Sequence, residues 1–251
     1  MIKVVLLGYG NVGKHMFDAF SSSSKAKIVQ VYNRSKKELP SKIPQTESLK
    51  DLCEADLYLI ASSDDSIVSI SGKIPFHDTL VVHTSGSVAM DSISANHRRG
   101  IFYPLQTFSK DRSVDFAEIP ICIEAESNSD LELLRQLGTA ISNKVVEVDS
   151  STREKLHLAA VFVNNFSNHL YHISEEILTK YGLDFDLLKP LLLETALKVQ
   201  QMSPKEAQTG PARRQDSKTL EKHLHLLDDP LYRTIYKDMT QSIQATYGKK
   251  L

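Results

Sequence analysis

At 251 residues, with 41% hydrophobic residues, 24% charged residues and a formal net charge of −1, the chain has the length for two packed domains and an ordinary globular composition. Without a basic excess, neither nucleic acid nor an anionic membrane is expected as its main partner. Cys53 and Cys122 offer no metal-ligand spacing and no disulfide framework, and the chain opens in a core strand with no charged leader or long apolar segment ahead of it, so a reducing, cytoplasmic location is expected.

Ile2 to Leu7 is a β-branched and Leu run suited to a central parallel strand. Gly8-Tyr9-Gly10-Asn11-Val12-Gly13 then supplies a G-x-G-x-x-G turn, and the helix expected from about Val12 to Phe20 would point its first amides at a pyrophosphate. A second apolar strand, Ile28 to Tyr32, ends in Asn33-Arg34-Ser35 where such a unit reads the adenosine ribose. NAD sites usually carry Asp or Glu there, whereas Asn33, Arg34 and Ser35 offer a pocket for a 2′-phosphate, so NADP is the expected cofactor.

Next come a short helix capped by Ser48, a strand from Asp56 to Ala61, and the polar turn Ser62-Ser63-Asp64-Asp65-Ser66, in which Asp65 or Ser66 could cap the next helix. Leu80 to His83 is a further strand, ending in Thr84-Ser85-Gly86-Ser87. Ligands of a doubly wound sheet lie outside the carboxyl ends of its strands, and small polar turns end these three. The glycine-turn residues Gly8, Gly10, Asn11, Val12 and Gly13, then Asn33 to Ser35, Ser62, Ser63, Asp64 and Ser85, are the expected cofactor contacts. Strand and helix alternate through Ile119 to Glu124, Ser129 to Ile141 and Lys144 to Val148. A Rossmann-like, doubly wound, mostly parallel sheet is therefore expected over residues 1–150.

From Ser151 onward only helical periodicity is found, so residues 151–251 are expected to form an all-α domain. Ser151-Thr152-Arg153-Glu154 reads as a capping box, and Leu156, Ala159, Ala160, Val163, Phe166, Leu170, Ile173 and Ile177 as the core face of the helix behind it. His157, Asn164 and Asn168 share a line away from that face, where they could hydrogen-bond a small-molecule substrate or a second subunit. His83, at a strand end, and His157 are the candidate proton donors, with a loop-holding role open for His83. A helix from about Asp186 to Met202 follows, then a loop from Ser203 to Gln215 in which Arg214 could pair with Asp216 or join Arg213 in an anion site, and two further helices opened by Asp216 and Asp229. His223 and His225 have no partners at metal spacing, so no metal is expected. Leu187, Leu188, Leu191, Leu192, Leu193, Ala196 and Leu197 wrap too far round one helix for a single buried side, which predicts a homodimer.

Taken together, G-Y-G-N-V-G-K-H, S-S-D-D-S-I, V-V-H-T-S-G-S, Y-P-L-Q-T-F-S, H-L-A-A-V-F-V-N-N-F and G-P-A-R-R-Q-D, in this order and spacing, resemble a family with a Rossmann-like amino-terminal domain and a carboxy-terminal domain of unknown function. The family is often labelled NADP oxidoreductase, without an assigned substrate, and is similar in fold to pyrroline-5-carboxylate reductase and 6-phosphogluconate dehydrogenase relatives. The resemblance implies a helical, dimer-forming second domain of the 6-phosphogluconate dehydrogenase carboxy-terminal type, with Arg214 near the site. Where the family usually has Gly between Arg and Asp, this chain has Gln215, which must then accept a positive φ. Relatives that act on 3-hydroxy acids pair a Lys with an Asn three or four residues on, whereas here Lys155 precedes Asn164 by nine. The activity expected is hydride transfer between NADP and a small C=O or C=N substrate. The alternatives are a non-catalytic dinucleotide-binding redox sensor or partner protein, and a deazaflavin-linked NADP reductase.

Overall fold

The chain is described by a computed structural model over residues 1–40 and 42–248. It divides into two compact units, Met1–Asn165 and the chain from Phe166 on, so the whole helix opening at Ser150 belongs to the first unit. The sequence-based division at residue 150 marks where strand alternation ends; the division into compact units follows later.

The first unit is built on an eight-stranded sheet: β1 (Ile2–Leu7), β2 (Ala26–Tyr32), β3 (Gln45–Thr46), β4 (Leu57–Ile60), β5 (Leu80–His83), β6 (Arg98–Pro104), β7 (Ile121–Ala125) and β8 (Val145–Glu147), in the spatial order β3-β2-β1-β4-β5-β6-β7-β8. Pairing is parallel from β3 to β6, antiparallel between β6 and β7, and parallel again between β7 and β8. Strand order reverses at β1, whose last residue, Leu7, pairs with Tyr32 on one side and Ile60 on the other. The turn after β1 is thereby set between the ends of β2 and β4, at the switch point where such sheets open a crevice.

Both faces of the sheet are covered, which is why β1 is apolar without alternation. Val4 and Leu6 pack with Met16, Phe17 and Phe20 of α1 (Asn11–Ser21) and with Leu134 and Leu137 of α3 (Asn128–Thr139). On the opposite face, Val5 and Leu7 pack with Ile67 and Ile70 of α2 (Ile67–Ser71) and with Ile93. α2 has no side-chain cap: the Ser66 hydroxyl donates to the Ser63 carbonyl instead, at 2.6 Å.

α4 (Ser150–Ala160) starts one residue before the expected capping box. Its cap is Asp149, whose carboxylate accepts from the Thr152 amide at 2.6 Å and is held below the usual carboxyl range by that bond. A charged acceptor at a helix amino terminus is favoured by both hydrogen bond and dipole, and it displaces the Ser151 box. The helix then widens into a π segment, Val161–Phe166, before α5 (Ser167–Lys180).

In the second unit, α5 stops at Gly182, and α6 (Lys189–Gln201) carries Pro190 in its first turn. The stretch expected as a loop contains two short helices, α7 (Pro204–Ala207), closed by a Ser203–Glu206 capping box, and α8 (Pro211–Arg214). α9 (Ser217–Leu226) and α10 (Pro230–Tyr247) follow, capped by Asp216 and Asp229. No strand occurs among the described residues of this unit. Of the expected inward face of α4 and α5, only Ile173 is buried in the single chain, while Val163 is 77% exposed. No helix of the described residues is long and apolar enough to cross a membrane.

Gln215 adopts the left-handed conformation its position demands, with φ 57° and ψ 36°, and its amide Nε2 donates to the Gly248 carbonyl at 3.3 Å. A non-glycine residue there carries a strain of roughly 1–2 kcal/mol, partly offset by this hydrogen bond. Gln215→Gly should therefore be more stable than Gln215→Ala by about 1 kcal/mol in urea unfolding, and equal stability of the two variants would contradict the conformation.

Candidate cofactor and substrate site

The turn after β1 is shaped by what a side chain would hit. At Gly8, φ is +113° and an added Cβ would collide with the Ala61 carbonyl; an added Cβ at Gly13 would strike the Gly8 carbonyl. Around Gly10, by contrast, no atom lies within 4 Å of an added Cβ. Close packing thus fixes the first and third glycines, and the middle one faces open space at the start of α1, where unpaired helix amides favour an anion.

That space belongs to a cavity of about 570 Å³. One end is the turn, with Gly8, Gly10, Asn11 and Val12; the walls bring in Asn33 and Arg34 from the end of β2, and Ser62 and Ser63 from the end of β4. The other expected cofactor residues stand behind it. Asn33 Oδ1 accepts from the Tyr9 amide at 3.1 Å while its Nδ2 donates to the Ser35 carbonyl at 2.8 Å, so Asn33 and Ser35 brace the glycine turn against the β2 end. The Asp64 carboxylate accepts from the Ser87 hydroxyl at 2.8 Å, and Ser85 Oγ accepts from the Ser87 and Val88 amides at 3.2 and 3.1 Å. These two residues shape the loop after β5.

His83 is fully buried in the same loop's base. Its Nδ1 accepts from the Ser85 amide at 3.1 Å, which places the ring proton on Nε2, 3.4 Å from the Ala89 carbonyl. Burial, with the Arg153 charge assisting, lowers its pKa to about 4, against the hydrogen bond to Ala89 and the Asp64 charge. The geometry is that of the loop-holding role, and the exposed strand-end donor expected from the sequence gives way to it. From the other side the loop is held by Arg153, itself fully buried: its guanidinium donates to Glu124 Oε2 at 2.7 Å, to the Val88 carbonyl and to Ser150 Oγ at 3.3 Å. Ser150 Oγ donates to the same carboxylate oxygen at 2.7 Å and accepts from the Met90 amide at 3.1 Å.

One turn along α4 from Arg153, His157 meets Tyr103 of β6. Its Nδ1 and the Tyr103 hydroxyl share a hydrogen bond of 3.1 Å, and the rings meet edge-on with centroids 6.0 Å apart. Burial pushes the Tyr103 phenol up to about 12, so it keeps its proton. Gly86 makes this approach possible, because an added Cβ would lie 2.5 Å from His157 Nδ1 and 2.9 Å from the Tyr103 ring. His157 and Tyr103 open onto a second cavity of about 470 Å³, which Gln106, Thr107, Asn164 and Asn165 also line. Tyr103, Gln106 and Thr107 were not singled out from the sequence, although they fall inside the Y-P-L-Q-T-F-S motif that carries the family resemblance. Asn11 ties the two cavities' linings together: it lines the first, and its Nδ2 donates to the carbonyl of Phe108, next to Thr107, at 3.2 Å.

With this geometry in view, the comparisons with known proteins are decisive for kinship. A family model described as domain of unknown function DUF2520 matches residues 119–243. A solved structure described as a "putative NADP oxidoreductase" from Bacteroides fragilis is 39% identical, covers 97% of this chain and 98% of its own, and superposes with a TM-score of 0.87. The chain belongs to the DUF2520 family. A protein from Thermotoga maritima is 19% identical with a TM-score of 0.75, the alignment covering 98% of each chain. A pyrroline carboxylate reductase from Plasmodium falciparum, solved with NADP bound, is 14% identical with a TM-score of 0.63 over 99% of each chain. These two show that the Rossmann-like fold is shared. No curated protein matches the chain.

The remaining expected site residues of this DUF2520 protein, Asn168 and Arg214, lie in the second unit. Arg213 is engaged locally, donating to the Gln208 carbonyl and lying 5.6 Å from the Tyr247 ring centroid, and Asp216 is occupied as the cap of α9. Arg214 is exposed beside them, and its charge adds to the capping bonds that keep the Asp216 carboxyl below its usual range.

The buried neutral His83 has a consequence for stability. In the folded state it stays unprotonated down to about 4, whereas the unfolded chain takes up the proton near 6.5, so stability is lost as pH falls through that window. Its contribution is of order 3 kcal/mol at most, and His83→Asn should flatten the fall in unfolding free energy between those pH values by a comparable amount. Parallel curves for the two proteins would show that His83 titrates normally.

Proposed function

We propose that the protein is an NADP-dependent oxidoreductase that moves hydride to or from a small C=O or C=N substrate. The observation that carries this reading is the cavity at the switch point: an open middle glycine at a helix amino terminus, walled by Arg34 where an NAD site would place a carboxylate. The 39% identical relative described as an NADP oxidoreductase supports it. The glycine turn and the first amides of α1 would hold the pyrophosphate, Ser62 and Ser63 would border its path, and Arg34 would pair with the 2′-phosphate. When bound, the nicotinamide supplies the hydride.

The substrate is proposed to lie in the second cavity, because the two linings adjoin: Asn11 of the first donates to the Phe108 carbonyl, next to Thr107 of the second. The Tyr103 hydroxyl oxygen would accept from His157 Nδ1–H while keeping its own proton, which leaves Nε2 as the atom that carries the transferred proton in the imidazolium and is free to accept it in the neutral ring. His157 then donates to the substrate oxygen or nitrogen as hydride arrives at carbon, and receives the proton in the reverse direction. Asn164 orients the reacting group by donating to it or accepting from it.

A homodimer in the cytoplasm completes the proposal. Leu187, Leu191 and Leu193 are each more than 60% exposed in the single chain, and apolar faces of that extent are normally covered by a partner. Light scattering at micromolar concentration should give twice the mass of one chain; a monomer would remove the dimer from the proposal.

Turnover is tested by following NADPH absorbance with ketones, aldehydes and cyclic imines. His157→Ala should lower kcat on any substrate found by about 100-fold or more while leaving NADPH affinity within twofold. NADPH binding without turnover of any of them would favour the redox-sensor reading.

A further inference from the structure

The first cavity holds a second cation that nothing in the turn motif points to. Lys73 lines it together with Ser66, Ser69 and Ile70, positions spaced three, four and seven residues along one helical face. α2 ends at Ser71, but the Gly72 amide still bonds to the Val68 carbonyl and the Lys73 amide to the Ile70 carbonyl, both at 3.1 Å, so the turn carries Lys73 round to the side of Ile70. The face begins beside the β4 turn, where the Ser62 and Ser66 hydroxyls are 2.7 Å apart, and it runs for about 10 Å at the helical rise. Arg34 and, as an apolar neighbour, Leu49 share the same lining. Neither Arg34 nor Lys73 is in an ion pair among the described residues, and no Asp or Glu shares the lining. Two unpaired cations in the lining of one cavity, in a chain of net charge −1, mark a place for a multiply charged anion.

We infer that Lys73 is a cofactor-specificity residue, which with Arg34 binds the 2′-phosphate of NADP while Ile70 and Leu49 enclose the adenine. This rests on the dinucleotide reading of the cavity given above. Arg34 supplies a planar fork and Lys73 a compact point charge on a flexible stem, so the pair can neutralise most of a phosphate dianion without a fixed geometry on both sides.

The test is calorimetric titration of NADPH and NADH into the full-length wild type, Lys73→Ala, Lys73→Arg and Arg34→Ala. Lys73→Ala should weaken NADPH about tenfold and NADH less than twofold, and Lys73→Arg should recover most of the loss. Raising salt should narrow the wild-type preference for NADPH, and do so less in Lys73→Ala. Lys73→Ala weakening both cofactors equally, or neither, in a protein that otherwise prefers NADPH and loses that preference on Arg34→Ala, would overturn the role of Lys73 alone. A wild type that binds NADH as tightly as NADPH would overturn this inference together with the choice of NADP in the proposed function.

Discussion

The geometry of the first unit's site depends on one buried ion pair. Arg153 has no exposed surface and must be paired, since a guanidinium left alone in the interior costs several kcal/mol. Its partner, Glu124, sits near the end of β7, the strand that runs against β6. Arg153 and His157 are four residues apart on α4 and so share a face. Pairing Arg153 with Glu124 sets the rotation of that helix, and the rotation turns His157 toward Tyr103 and Gly86. The same guanidinium takes the Val88 carbonyl, so the loop after β5 is fixed by the interaction that fixes the helix. Arg153 Nε stays without a hydrogen-bond partner, a cost the network carries.

From the other side, a neutral histidine completes this arrangement. His83 receives an amide on Nδ1 and offers Nε2 to a carbonyl, so the loop between Thr84 and Met90 is gripped by an uncharged ring beneath and a cation above. A second cation so near would be repelled by Arg153, which is one reason the histidine remains unprotonated. Loops normally lose order where backbone groups lack partners; here Ser85 Oγ caps two amides and Ser150 Oγ a third. The loop is thereby held between the β4 turn and α4, beside a cavity lined by uncharged amides and hydroxyls and a protonated phenol.

How much of this was legible in the chain follows from how local each determinant is. The glycine turn, the buried strands and the caps at Ser48, Asp216 and Asp229 are set by residues next to one another, and they stand where the pattern put them. The Ser151 box failed because the neighbouring Asp149 is a stronger acceptor, a competition between two adequate local signals. Non-local pairings were out of reach. Nothing in the spacing of Glu124 and Arg153, or of Tyr103 and His157, announces that they meet, because the antiparallel return of β7 on β6 brings both pairs together. Lys73 escaped for a related reason: its cavity wall is a helical turn that continues past Gly72, and a glycine reads in sequence as the end of a helix.

The row of His157, Asn164 and Asn168 shows how one backbone irregularity alters a helical pattern. That row assumes 3.6 residues per turn throughout, whereas Val161–Phe166 closes its hydrogen bonds five residues apart. The wider turn moves each later residue back round the axis by most of one position, and Asn165, beside the line on the uniform wheel, joins Asn164 on the wall of the second cavity. Two asparagines inside a helix are a poor choice for helix stability, and a π turn is poorer still. Their coincidence in one six-residue stretch is local cost concentrated beside His157, and such cost persists only where the surrounding structure holds it in place.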